Sequence, residues 1–186
     1  KKQNEEYFKF KLPMYGDHNV ANATAAITVA FHLKIPFENI KKGLENFKGV
    51  KRRFTKVYTW NGIDIIDDYA HHPVEISAVL SAARKYTSGR VIVVHQPHRY
   101  SRLSNLIIDF SKCFDEADIV GITPVYGAGE NPIKGINSEK LIKLLNDRLI
   151  NANLVYNEND LLKFLKFYGK PGDIFICLGA GSISQW

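Results

Sequence analysis

Ile63-Asp64-Ile65-Ile66-Asp67-Asp68-Tyr69-Ala70-His71-His72-Pro73-Val74-Glu75-Ile76 runs from a short apolar segment through a polar turn into an amphipathic one. Ile63 to Ile66 reads as a buried strand and Val74 to Tyr86 as a helix. Between them stand two carboxylates, a phenol and two imidazoles. In an open α/β sheet the carboxyl ends of strands and the amino ends of helices open into one crevice, where ligands bind. This set of groups is equipped to ligate a metal, hydrogen-bond sugar hydroxyls and move protons. The plainer alternative is a helix cap, with Asp ahead of the helix, Pro at its first turn and Glu75 inside it, but a cap needs only one of the five side chains.

Working outward, Asn61-Gly62 is the favoured type I′ pair and predicts a hairpin of Lys56–Trp60 with the Ile63 strand. Downstream, the pattern predicts strand Arg90–His95, helix Ser104–Phe114, strand Asp118–Thr123, a loop over Pro124–Ile136 and helix Ser138–Leu149. Strand Asn153–Tyr156, helix Asp160–Tyr168 and strand Asp173–Leu178 complete it. Alternating strands and helices imply right-handed crossovers, so the fold class is α/β, a Rossmann-like, mostly parallel sheet with flanking helices. Upstream, Tyr7–Leu12 alternates like an edge strand, and helices are expected over Val20–Leu33 and Phe37–Phe47. Gly49-Val50-Lys51-Arg52-Arg53-Phe54 breaks the pattern, which sets the domain division at 1–53 and 54–186. A lone strand and helices at the start suggest that the protein begins further upstream.

The 186 residues, 45% hydrophobic, suit a globular chain. There is no run of about 18 apolar residues and no signal-peptide pattern, so a cytoplasmic protein without membrane partners is expected. Cys113 and Cys177 lack metal-ligand spacing and read as reduced core residues, and no metal site is expected. A net charge of +6 favours anionic partners. The basic residues are scattered and form no nucleic-acid module, so nucleic acid is not an expected partner.

Four further clusters sit at element ends. Gln96-Pro97-His98-Arg99-Tyr100-Ser101-Arg102 follows a strand, and its arginines suit a carboxylate or phosphate, unless the loop is simply solvated. His18 and Asn22 lie four apart on one helix face, able to meet an adenine edge or to serve a cap. Arg52-Arg53 is a phosphate contact or an exposed linker. Gly179-Ala180-Gly181-Ser182 permits close backbone approach but is a weak signal.

In order, GDHNVANATAAI, KRRF, DDYAHHPVEI, HQPHRYSR, YGAGENPIKG and GAGSI resemble the closing half of the muramyl ligase family, specifically its L-alanine-adding branch. The sister ligases share the Asp turn but not the HRYSR loop. The resemblance implies the tail of a central ATP-binding domain followed by an amino-acid-binding domain. It also implies a reaction of peptidoglycan biosynthesis: ATP phosphorylates the carboxylate of UDP-N-acetylmuramate, and the amine of L-alanine attacks the acyl phosphate. On this likeness His18 and Asn22 would meet adenine, Arg52 or Arg53 an ATP phosphate, and Asp67 or Asp68 the ribose, with Asp68 favoured. Tyr69 and His71 would border the reacting centre, and His98, Arg99 and Arg102 would position alanine and the growing charge. ATP and Mg2+ would be held mainly by upstream domains, because no glycine-rich loop ending in Gly-Lys-Thr/Ser occurs here, and the chain alone is expected to fold without turnover. Ser182 stands where the family usually has Asp, which leaves the glycine loop without an assigned role. A peptide-recycling ligase and a non-catalytic nucleotide-binding module are the alternatives. The site reading expects Asp68, His71, His98 and Arg99 to face one crevice.

Overall fold

The structure, a computed structural model, describes residues 9–14 and 16–186. The chain divides into two compact units between Gly49 and Val50, slightly ahead of the boundary expected after Arg53. The first unit holds α1 (Asp17–His32) and α2 (Phe37–Glu45). The Gly16 carbonyl accepts from the backbone of Asn19 (3.0 Å) and Val20 (3.3 Å), so α1 opens ahead of its apolar stretch, with Asp17 favourably placed at the positive end of the helix dipole. Of the strand expected over Tyr7–Leu12, Tyr7 and Phe8 lie outside the described residues, and Lys9 to Leu12 is not strand. An alternating segment becomes a strand only beside a pairing partner, and among the described residues none pairs with it.

The second unit carries one six-stranded sheet. β1 (Thr55–Trp60) and β2 (Ile63–Asp68) form the expected hairpin, with Asn61 at φ 49 and Gly62 at φ 77 in the two left-handed positions that a type I′ turn requires. Then come α3 (Pro73–Tyr86), β3 (Val91–His95), α4 (Tyr100–Asn105), α5 (Ile107–Lys112) and β4 (Ile119–Ile122). After these the chain forms α6 (Ser138–Asp147), β5 (Asn151–Leu154), α7 (Glu158–Tyr168), β6 (Ile174–Leu178) and a short 3-10 turn, Ser182–Gln185. The single helix expected over Ser104–Phe114 is two, parted at Leu106 (φ −119). Among the described residues no helix is long and apolar enough to cross a membrane.

The strand order is β1-β2-β6-β3-β4-β5, antiparallel only between β1 and β2. The crossovers β2 to β3, β3 to β4 and β4 to β5 advance one way along the sheet, while β5 to β6 returns. Right-handed crossovers must therefore put α3, α5 and α6 on one face and α7 on the other. The cores agree: Ile76, Leu80, Phe110, Phe114, Leu141 and Leu145 pack with Val91, Val93 and Ile176, whereas Phe164 and Leu165 pack with Ile92, Val94 and Phe175. Both faces are covered, which is why β3, β4 and β6 are apolar almost throughout.

The amino end of the sheet is tied by Asp173, 5% exposed. Its carboxylate accepts from the backbone N–H of Arg90 (3.0 Å) and of Lys170 (2.8 Å) and from Arg90 Nη2 (2.6 Å). Burial pushes this carboxyl up, but the Arg90 guanidinium and the backbone donors outweigh it and hold it below the usual value of 3.8. Asp173→Ala should cost about 2–4 kcal/mol in urea unfolding near neutral pH, because it strands buried donors. The folded value is depressed, so this stabilisation is complete above the unfolded value and is lost as pH falls through the folded one. The difference between wild type and variant should accordingly shrink below about pH 4.

Candidate functional site

Parallel register sets Asp68, Leu178, His95 and Ile122 at one level of the carboxyl edge of the sheet. The loops leaving these four residues are the Asp turn, the glycine loop, the arginine loop and the loop through Tyr126 and Glu130. They emerge side by side because the strands end together.

The Asp turn is built as both a cap and a site. His72 Nδ1 accepts from the Val74 backbone (3.4 Å), and Glu75 accepts from the backbone N–H of His71 (3.1 Å) and of His72 (3.3 Å), a reciprocal cap at the start of α3. Burial pushes Glu75 up, but the His71 N–H, the His71 ring and the His72 N–H outweigh it and keep the carboxylate ionised. Capping thus uses His72 and Glu75 and leaves Tyr69 and His71 for other work.

Asp68 departs from expectation. It is 2% exposed, with one oxygen accepting from the Phe54 N–H (2.7 Å) and the other from the Ala70 N–H (2.7 Å), so it is a structural clamp beneath the edge. Burial pushes its carboxyl up, against the pull of those two donors. Asp67, on the opposite face of β2, pairs with Arg52 (3.3 Å). Its Oδ1 and the Arg52 Nε are buried and have no hydrogen-bond partner among the described residues. Burial raises Asp67 too, with Arg52 opposing. The Arg52 guanidinium also donates to the Gly179 carbonyl and lies 4.9 Å from the Tyr69 ring centroid, with Arg53 at 5.9 Å.

From Tyr69 a chain of rings crosses to the arginine loop: Tyr69 to His71 at 5.2 Å, His71 to His98 at 5.7 Å, and His98 stacked on Tyr126 at 5.5 Å. The contacts fix the tautomers. The Tyr69 carbonyl can only accept, so His71 Nδ1 (2.9 Å) donates, and in the neutral form of the ring Nε2 carries the lone pair. Arg102 Nη1 can only donate, so His98 Nδ1 (3.4 Å) accepts and its proton resides on Nε2. Burial, then the charges of Arg102, His71 and Arg99, lower His98 below its usual 6.5 and keep it neutral. Neighbouring imidazoles thus offer one proton acceptor and one donor.

Arg99 is at the same edge, half-exposed, with φ 72, a backbone state that costs a residue with a side chain on the order of 1–3 kcal/mol. Its N–H donates to the Tyr126 carbonyl (2.8 Å), and its guanidinium is 3.9 Å from Glu130. Hydrogen bonds from the Ser101 side chain and backbone lower the Glu130 carboxyl. Tyr126 and Glu130 were not singled out from the sequence, although both flank the glycine-rich turn of YGAGENPIKG, where a loop bends back on itself. The glycine loop packs inward: Gln96 donates to Ser182 Oγ (3.2 Å) and accepts from the Ile183 N–H (3.2 Å), and a Cβ on Gly181 would collide with Gln96 and Tyr126. His18 and Asn22 belong to the first unit, both exposed on α1; Gly16 is the N-cap, so neither caps that helix. Among the described residues no three His, Cys, Asp or Glu side chains converge as a metal site. The described residues therefore do not by themselves make up a magnesium cage, which needs several oxygen ligands.

His98 should titrate below 6.5 in an NMR pH series, and Arg102→Met should move its midpoint upward, leaving only the part due to burial and the remaining charges. With the folded value depressed, the neutral ring's contribution to stability is complete above the unfolded value and is lost as pH falls through the folded one. A wild-type midpoint at or above 6.5 would contradict the geometry.

The chain is 56% identical over 176 residues to the UDP-N-acetylmuramate--L-alanine ligase of Roseobacter denitrificans, covering 94% of this chain and 38% of that protein. It is 54% identical over 179 residues to the Brucella anthropi protein of the same name, covering 95% and 38%. A crystal structure of UDP-N-acetylmuramate-alanine ligase from Thermotoga maritima superposes with TM-score 0.77 at 30% identity, over 98% of this chain and 39% of that one. The chain thus spans well under half the length of the relatives it matches. The family model described as "Mur ligase, glutamate ligase domain" matches residues 52–181. By that match, which takes in the imidazole pair, the arginine loop and the glycine loop as far as Gly181, the chain belongs to the Mur ligase family.

Proposed function

We propose that this chain is the amino-acid-binding part of an ATP-dependent ligase that joins L-alanine to UDP-N-acetylmuramate. The observation that carries the reading is the His71–His98 pair, its ring centroids 5.7 Å apart, beside Arg99 and Arg102 at the carboxyl edge. The relatives named for the same reaction support it. A carboxylate is a poor acylating agent. Its oxygen first takes the γ-phosphoryl group of ATP, with ADP leaving. The alanine nitrogen then attacks the carbonyl carbon, the C–N bond forms, and the C–O bond to phosphate breaks. His71 Nε2 receives the amine proton. The His98 N–H and the guanidinium groups of Arg99 and Arg102 hold the alanine carboxylate and the oxyanion that develops at the attacked carbon.

At the other end of the ring chain, Arg52 and Arg53 suit an ATP phosphate. Asp67, rather than the clamped Asp68, suits the ribose, because it is the less buried of the two and is not held by backbone donors. In the first unit His18 and Asn22 suit the adenine edge. Magnesium, when bound, would neutralise the transferring phosphoryl group, and we assign it and the phosphate cradle to parts of the longer enzyme not encoded in these residues.

In the longer enzyme, Arg99→Lys and Arg102→Lys keep the charge and lose the second prong. Each should lower kcat/KM for L-alanine by about 1.5–3 kcal/mol in transition-state stabilisation. Wild-type kinetics in both variants would refute the assignment.

A further inference from the structure

Arg99 presents a puzzle that the ligase reading leaves open: an exposed residue with a long, mobile side chain stands in a disfavoured backbone state and must still aim its guanidinium reproducibly. Two backbone hydrogen bonds hold the loop, Arg99 N–H to the Tyr126 carbonyl and Tyr126 N–H to the Pro97 carbonyl, each 2.8 Å. Together with the parallel bridge between His98 and Tyr126 they form a miniature sheet beyond the end of β3. These ties fix the backbone as far as Arg99. The segment just past Arg99 is held differently. Glu130 Oε2 accepts from the Ser101 backbone N–H (2.9 Å), Glu130 Oε1 accepts from the Ser101 hydroxyl (2.6 Å), and the same Oε1 lies 3.9 Å from Arg99 Nη1. Glu130 is anchored in turn, its own N–H donating to the Gly127 carbonyl (3.0 Å).

Resting on the ligase reading above, we propose that Glu130 is a positioning residue for amino-acid recognition: by gripping Ser101 and facing Arg99, its carboxylate sets the direction of the Arg99 guanidinium. Both carboxylate oxygens are engaged by Ser101, so Glu130 acts through its neighbours and not on substrate. The grip closes the loop on the far side of Arg99, so the left-handed residue is tied before and after. The ion pair also keeps Arg99 from folding back on the ring chain while leaving the guanidinium half-exposed for an anionic partner. The alanine carboxylate then meets an arginine already pointed at it, and what Glu130 governs is affinity for the amino acid more than the chemical step.

The test uses the longer enzyme with saturating magnesium ATP and UDP-N-acetylmuramate and varied L-alanine. Glu130→Ala should raise KM for L-alanine at least about tenfold, with kcat and the KM for ATP moving less than about twofold. Ser101→Ala should move KM the same way by less. Glu130→Gln, which keeps a grip on Ser101 but loses the charge facing Arg99, should fall between wild type and Glu130→Ala. In an Arg99→Ala background, Glu130→Ala should add less than about twofold, because the residue it directs is already gone. Hydrogen exchange at the Ser101 amide reads the grip without any substrate and should speed at least about tenfold in Glu130→Ala while the amides of β3 and β6 hold. An unchanged KM for L-alanine in both single variants, full additivity with Arg99→Ala, or unchanged Ser101 exchange would each overturn the proposal. A wild-type enzyme that is inert toward L-alanine would overturn the ligase reading and this inference with it, and is told apart because the wild type itself is then silent. Should Glu130→Ala fail to fold, Glu130→Gln and Ser101→Ala carry the same comparison.

Discussion

The return of β6 to the middle of the sheet is the constraint on which the rest of the unit depends. Inserted between β2 and β3, it pairs with both in parallel register and brings the Asp turn and the arginine loop to within a ring contact of each other. The same insertion buries Phe175 and Ile176 on opposite faces, and burying a side chain of that size contributes about 1.5–3 kcal/mol. The hydrophobic effect that places β6 therefore also places the polar residues at its end.

Beneath the ring chain sits His95, wholly buried between the site and the apolar core, 5.7 Å from both Phe110 and Phe114. Its ring nitrogens have no hydrogen-bond partner among the described residues. Burial lowers it to about 3, so it is neutral at physiological pH. A neutral floor and a neutral His98 leave the formal charge of the edge to the arginines and to the carboxylates that steady them or the turn: Asp67, Asp68, Glu75 and Glu130. The Arg99 charge is set at the rim, where it can meet anions, while the buried Asp68 carboxyl below it is held by two backbone donors.

The sequence made the layer order and the site loops readable because strand-helix alternation, an Asn-Gly turn and polar clusters at strand ends are local signals. What it hid was non-local. The strand ending in Asp67-Asp68 was expected to stop at Ile66. Carried two residues further, the two-residue period puts Asp68 on the inward face with Ile66, which is why the favoured ribose carboxylate turns out to be a buried clamp. β5 begins at Asn151, ahead of the apolar Leu154-Val155-Tyr156 that drew the expectation. Its start is fixed by Asn146, whose side chain both accepts from the Ala152 N–H (3.0 Å) and donates to the Ala152 carbonyl (3.1 Å) like a neighbouring strand. Glu130 was invisible for the same reason: its partner lies 29 residues away.

On the reading proposed above, the imidazole pair and the arginine loop select a single free amino acid as the nucleophile. The most direct measurement gives the longer enzyme magnesium ATP and UDP-N-acetylmuramate with either L-alanine or the murein tripeptide and follows phosphate release. Saturable release with L-alanine, accompanied by the amide product, is expected, with little release from the tripeptide. Turnover that prefers the tripeptide, or that does not depend on the amino acid supplied, would contradict this selection.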